Sequence, residues 1–107
     1  MTNIVYLVGR LATDPTVVKD GKKKYLSFKI SVHKPFKNDK GLFECDIFPV
    51  EIPFISDEKY NKYMHKCDLV GLKGYLSFHN NEMIIICEKL SFLAKKNCED
   101  DLNEEDN

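Results

Sequence analysis

In the run YLSFKISVH, residues 25–33, Leu26, Phe28, Ile30 and Val32 alternate with Tyr25, Ser27, Lys29, Ser31 and His33. Period two is the signature of a strand that lays one face on a core and turns the other to solvent. The run DLVGLKGYLSF, residues 68–78, repeats it. Val70, Leu72, Leu76 and Phe78 make its apolar side, with Lys73, Tyr75 and Ser77 opposite. A longer β-rich stretch, EMIIICEKLSFLA at 82–94, is apolar on both faces around Ile84–Ile86. FECDIFPVE at 43–51 reads as a weaker strand, in which Pro49 lacks a ladder donor and predicts an edge or a bulge. The opening stretch NIVYLVGRLATDP, residues 3–15, starts as a strand, is interrupted by Gly9 and Arg10, and closes on Asp-Pro.

Turn-forming residues separate these runs: KDGKKK around Gly21, KNDKG around Gly41, and HNN at 79–81. One helix is expected between the third and fourth strands. Ser56 suits an N-cap, Asp57 and Glu58 meet the helix dipole, and Tyr60, Tyr63, Met64 and Cys67 recur at i, i+3, i+4 and i+7. Beyond Lys95 periodicity stops, and a disordered acidic tail is expected over 97–107, after a domain of residues 1–96. Strand, strand, strand, helix, strand, strand is the layout of an all-β OB-fold, a five-stranded, partly open Greek-key barrel. A small sandwich with an added helix is the competing architecture.

The 107 residues suffice for one modest core. No apolar stretch reaches the length of a membrane span, and the N-terminus enters a strand pattern without a basic and apolar leader, so a cytoplasmic protein is expected. Cys45, Cys67, Cys87 and Cys98 form no C-x-x-C pair, and the histidines lack ligand spacing. Free thiols are expected, with no metal and no cofactor. Nucleophile elbows, zinc-protease motifs and phosphate loops are also missing from the sequence, which argues against an enzyme.

Charge is divided unevenly. Residues 1–98 hold all sixteen lysines and arginines against eleven acids, a balance of +5, while EDDLNEEDN at 99–107 carries six acids and no base. A basic body with an acidic end suits a polyanion partner, although an acidic end also serves solubility alone. Rings and cations recur on the same outward faces, Tyr25 with Lys29 and Lys73 with Tyr75, and Phe36 stands among the lysines of HKPFKNDK in what reads as a mobile hairpin loop. Single-stranded nucleic acid requires this combination, cations for phosphates and flat rings for bases. Phe28, Phe78 and Phe92 are assigned to the core instead.

These same stretches carry a family resemblance. NIVYLVGRLATDP resembles the first strand of bacterial-type single-stranded-DNA-binding proteins, with its pattern N-x-V-x-L-x-G-R/N-L-x-x-D-P. YLSFKISVHKPFKNDKG is similar to the family's second strand and following hairpin, ECDIFPV to its third strand, and YNKYMHKCDLVGLKGYLSF to its helix and fourth strand. The resemblance implies sequence-independent binding of single-stranded DNA in replication, recombination or repair, without a cofactor. It also implies a dimer or tetramer paired through the first strand, with replication or repair proteins as possible partners. Together with the face pattern, it nominates Arg10, Tyr25, Lys29, His33, Lys34, Phe36, Lys37, Phe48, Phe54, Lys73 and Tyr75 as DNA-binding. This chain departs from the family in having no tryptophan, Ile47 at a usual aromatic position, and Pro53 beside Phe54 at another. It also has a short HNNEM hairpin and no Pro-Phe tip. Those departures suit an alternative role, an OB-fold protein-interaction module with weak DNA binding.

Overall fold

The computed structural model describes residues 1–53 and 64–95. Six antiparallel or parallel strands follow one another: β1 (Val5–Leu11), β2 (Thr16–Asp20), β3 (Lys23–Lys37), β4 (Phe43–Ile52), β5 (Leu69–His79) and β6 (Glu82–Ala94). They form one sheet in the order β1-β5-β6-β4-β3-β2, which a further β1–β3 pairing closes into a barrel. All neighbours are antiparallel except β4 and β6, joined by the pairs Val50↔Ile85 and Glu51↔Ile86. The architecture is an OB-fold barrel.

β1 closes the ring by changing partners. Val5–Arg10 pair with β5, while Arg10 and Leu11 also pair with Ser31 and Ile30 of β3. A Cβ on Gly9 would collide with the Ser31 carbonyl oxygen, so only glycine lets β1 cross β3 this closely. A Cβ on Gly74 would likewise strike the Ile86 carbonyl, where a register shift lies between Lys73 and Gly74.

Alternation places Leu26, Phe28 and Ile30 of β3 opposite Ile52, Val50 and Phe48 of β4, all on the inner side. Leu11, Val70, Leu72, Ile85 and Cys87 complete the buried layer from the other strands. Each large aliphatic chain buried there contributes about 1.5–3 kcal/mol relative to exposure. Burial pushes the Cys87 thiol up to about 11, opposed by a smaller lowering contribution from the Lys89 backbone. Cys87 is a free thiol, whereas Cys67 is disulfide-bonded, contrary to the expectation of free cysteines. Cysteine spacing along a chain carries no information on which thiols tertiary folding brings together.

Several expectations are corrected by the strands' true extents. The count is six strands rather than five, because Thr16–Asp20, too short to show a pattern, pairs along the start of β3 through a turn at Gly21 (φ 63°). HKPF belongs to β3 rather than to a loop, since the strand continues to Lys37 before Asn38 closes the turn. There the Asn38 side chain accepts from the Lys40 and Leu42 backbone N–H groups. No helix occurs among the described residues. Most of the expected one, including Ser56, Tyr60 and Tyr63, lies outside them. Its final stretch, residues 64–67, is not helical, with Cys67 at φ 80° in a turn, yet Met64 is buried in the core as the stripe required. The expected acidic tail, from residue 97 on, also lies outside the described residues. Among the described residues, no helix is long and apolar enough to cross a membrane.

Pro49 stands in regular register opposite Lys29. The Lys29 backbone is engaged on its other side: its N–H donates to Thr13 Oγ1 and its carbonyl accepts from the Ala12 N–H. At such a pair both residues turn their backbone groups away from each other. The missing proline donor therefore weakens no β3–β4 bond, and the bulge falls instead between His33 and Lys37, around Pro35.

Candidate nucleic-acid interface

The strand register gathers the nominated residues into two clusters. The first is a groove of about 290 Å³ on the outer surface of the barrel, with Tyr25 and Tyr75 on its walls. These tyrosines are fifty residues apart in the chain and three strands apart in the sheet. Tyr75 pairs with Ile86, Ile86 with Glu51, and Glu51 with Ser27, two residues along β3 from Tyr25. Glu51 and Ile86 thus lie between the tyrosines. Lys23 and Lys24 line the same groove from the β2–β3 turn, and His79 from the start of the β5–β6 turn.

The second cluster is an arm where β3 and β4 run on past the core. His33 and Phe43 stack with ring centroids 5.6 Å apart and planes 9° from parallel, and Lys37 Nζ lies over the same Phe43 ring at 5.6 Å. Lys34 Nζ pairs with Asp46 Oδ1 at 3.1 Å. Phe36, in the bulged stretch, is 80% exposed. Along the outer face of β3, Tyr25, Lys29 and His33 fall in one line; at about 3.3 Å per residue it is about 26 Å long. Lys29 stands exposed midway and joins groove to arm.

Other nominated residues lie elsewhere. Phe48 turns inward, opposite Ile30, and packs against the core, while its neighbour Ile47 faces out and is 58% exposed. Lys73 sits beside β1, its Nζ 5.9 Å from the Tyr6 ring centroid, in a broader groove of about 520 Å³ with Val8 and Lys89. It shares outward parity with Tyr75, but a closed barrel curves, and two steps along β5 bring a different neighbourhood. Arg10 is half-buried at the barrel closure, where its Nη1 donates to the Cys67 carbonyl at 3.2 Å. The same turn is fixed by backbone bonds from Cys67 N–H to Leu11 O and from Leu11 N–H to Asp68 O. Phe54 lies outside the described residues.

Two rings escaped the sequence reading. Phe43 has no distinguishing mark in the sequence; pairing of the arm brings Lys37 opposite it and the His33 ring against it. Phe78, assigned to the core, is 76% exposed, because β5 and β6 outrun the barrel and it pairs with Met83 just before the Asn80-Asn81 turn. Both asparagines there take positive φ, 53° and 64°, as a two-residue hairpin requires. Phe92, also assigned to the core, is half-exposed near the other end of β6.

No family model matches the chain. Among curated proteins, single-stranded DNA-binding protein 1 of Staphylococcus aureus strain MSSA476 is 30% identical over 110 residues, covering 94% of this chain and 70% of that protein. The protein of the same description from strain Mu50 is 31% identical with the same coverage. The chain belongs to the single-stranded DNA-binding protein family. A further relative, the single-stranded DNA-binding protein of Lactiplantibacillus plantarum, is 34% identical over 77% of this chain and 42% of its own length. As a member of the single-stranded DNA-binding protein family, this chain joins the OB-fold barrel to an outer surface of exposed rings beside lysines, with Ile47 where the resemblance places an aromatic.

Proposed function

We propose that this protein binds single-stranded DNA without overall sequence preference, along the outer face of β3 from the Tyr25–Tyr75 groove to the His33–Phe43 arm. The observation that carries this reading is the line of Tyr25, Lys29 and His33, flanked by Lys34, Phe36 and Lys37. Lysines meet phosphates, exposed rings stack on bases, and neither contact depends on base identity. Binding is non-covalent and involves no catalysis, cofactor or metal. Lys73, beside Tyr6, and Arg10, at the closure, extend the positive surface rather than form the stacking track. Replication, recombination or repair in the cytoplasm is the process this activity serves, with proteins of those processes as partners. Residues 1–96 form the binding domain, and 97–107 a separate acidic segment.

A homo-oligomer completes the proposal. Ile4, just ahead of β1, is exposed, Tyr6 and Val8 of β1 turn outward with Tyr6 69% exposed, and Leu93 of β6 approaches Val8 across Gly71. Apolar side chains in such a row favour a second copy of the chain over water. Sedimentation velocity reads this directly: a monomer at micromolar concentration overturns it.

Titration of fluorescent oligo(dT) at two salt concentrations tests the binding itself. Each phosphate contact adds about −0.7 to the slope of log affinity against log salt for a single strand. A steep negative slope is expected, with weaker binding to duplex. Affinity that ignores salt, or that favours duplex, replaces this reading with the protein-interaction module, for which outward-facing Ile47 would supply apolar contact.

A further inference from the structure

The Tyr25–Tyr75 groove contains a group that phosphate binding does not explain. Glu51 lies on the groove between the two rings, half-buried, and its carboxylate makes no hydrogen bond or ion pair with any described residue. A carboxylate repels phosphate, so a surface built only to hold the DNA backbone gains nothing from it. The register fixes where it stands. Glu51 pairs with Ile86 on one side and Ser27 on the other, putting it between the two rings, while Lys23, Lys24 and an exposed Asp20 line the groove by the β2–β3 turn.

Cations, rings and a carboxylate thus present three chemistries in one groove. A nucleotide has three matching parts: the phosphate, the flat faces of the base, and the base edge. Single-stranded bases are free to offer their Watson–Crick edges to protein. A carboxylate only accepts hydrogen bonds, through two oxygens. Thymine offers one N–H between two carbonyl oxygens, while cytosine and adenine each offer an amino group beside a ring nitrogen acceptor. Guanine alone presents two adjacent donors, N1–H and the N2 amino group, which match both oxygens of one carboxylate.

We propose that the Tyr25–Tyr75 groove is a base-selective subsite, in which Glu51 accepts hydrogen bonds from the N1–H and N2 amino group of a guanine stacked on the Tyr25 ring, two residues along β3 from the partner of Glu51. The inference rests on the single-strand binding proposed above and limits its indifference to sequence at one position along the track. On the arm, Asp46 is already paired with Lys34, and Glu44 stands exposed opposite the Lys34–Phe36 bulge.

The test compares three oligonucleotides of equal length at one salt concentration: oligo(dT), oligo(dT) with spaced guanines, and the same strand with hypoxanthine for each guanine. Hypoxanthine lacks only the N2 amino group. The full chain should bind the guanine strand about five- to tenfold more tightly than the hypoxanthine strand, within the range for a two-bond base contact. In Glu51→Gln, which keeps the side chain's shape, that ratio should fall towards one, while oligo(dT) binding tightens because a negative charge has gone. Equal affinity of the unaltered chain for the guanine and hypoxanthine strands overturns the subsite and leaves single-strand binding intact. So does an unchanged ratio in Glu51→Gln. Failure to bind any of the three strands overturns single-strand binding itself, and the subsite with it.

Discussion

Gly9 shows how much a single missing side chain can decide. Its place against the Ser31 carbonyl lets β1 leave β5 and reach β3, and that crossing closes the barrel. Gly9→Ala should therefore lower stability by about 1–3 kcal/mol, the usual cost of forcing atoms into a filled space. Gly71→Ala is its control. A Cβ there would make ordinary contacts of 3.7 Å with Val8 and Leu93, and stability should stay level or rise slightly. Urea unfolding of the two variants measures both; a Gly9→Ala protein as stable as the parent removes the steric account of closure. Phe36 is the converse case, a large side chain that packs on little. Truncation to alanine should leave urea unfolding unchanged and weaken oligo(dT) binding by about 1–3 kcal/mol, the worth of one base–aromatic stack. Parental affinity in Phe36→Ala would move the stacking contact to Phe43 or to the groove.

Among the elements, the arm of β3 and β4 is the one whose form bears most directly on binding. Three residues, Lys34, Pro35 and Phe36, stand opposite Glu44 alone between the pairs His33↔Cys45 and Lys37↔Phe43. Such a bulge twists the strand and redirects its side chains. Lys34 pairs with Asp46 while both side chains are nearly half exposed, so the pair is worth only about 0–1 kcal/mol of stability. Its greater effect is to occupy a lysine. Asp46→Asn should leave stability within that range, tighten oligo(dT) binding at low salt, and steepen the salt slope by about 0.7 as Lys34 turns to a phosphate. An unaltered slope would mean that Lys34 does not meet the strand.

For the whole molecule the governing quantity is charge. Residues 99–107 lie outside the described structure, but the sequence fixes their six acids against the +5 balance of the preceding residues. Covalent attachment holds those acids at a high local concentration near the basic surface. Removing residues 99–107 should tighten oligo(dT) binding at low salt. The gain should vanish at high salt, because screening already limits such attraction to about 8–10 Å at physiological ionic strength. Equal affinity of the full and shortened chains in low salt would leave the acidic segment a role in solubility alone.

The sequence by itself determined the local grammar of this protein. Period two marked β3 and β5 and identified Leu26, Phe28, Ile30, Val70 and Leu72 as core, because alternate side chains of a strand must point to opposite faces. Gly21, Gly41 and the Asn80-Asn81 pair marked the turns, because their positive φ favours these residue types. Parity says which side of a strand a residue takes, but not how far along that strand the core extends. Phe78 has core parity and lies beyond the core, while Phe36 stands on a strand that continues past the barrel. Parity also cannot divide a closed surface into regions. Lys73 and Tyr75 share an outward side, yet barrel curvature sends one towards Tyr6 and the other to Tyr25. The groove itself belongs to tertiary structure alone: its two tyrosines and Glu51 come from three strands, and only ring closure, with β4 laid parallel to β6, makes them neighbours.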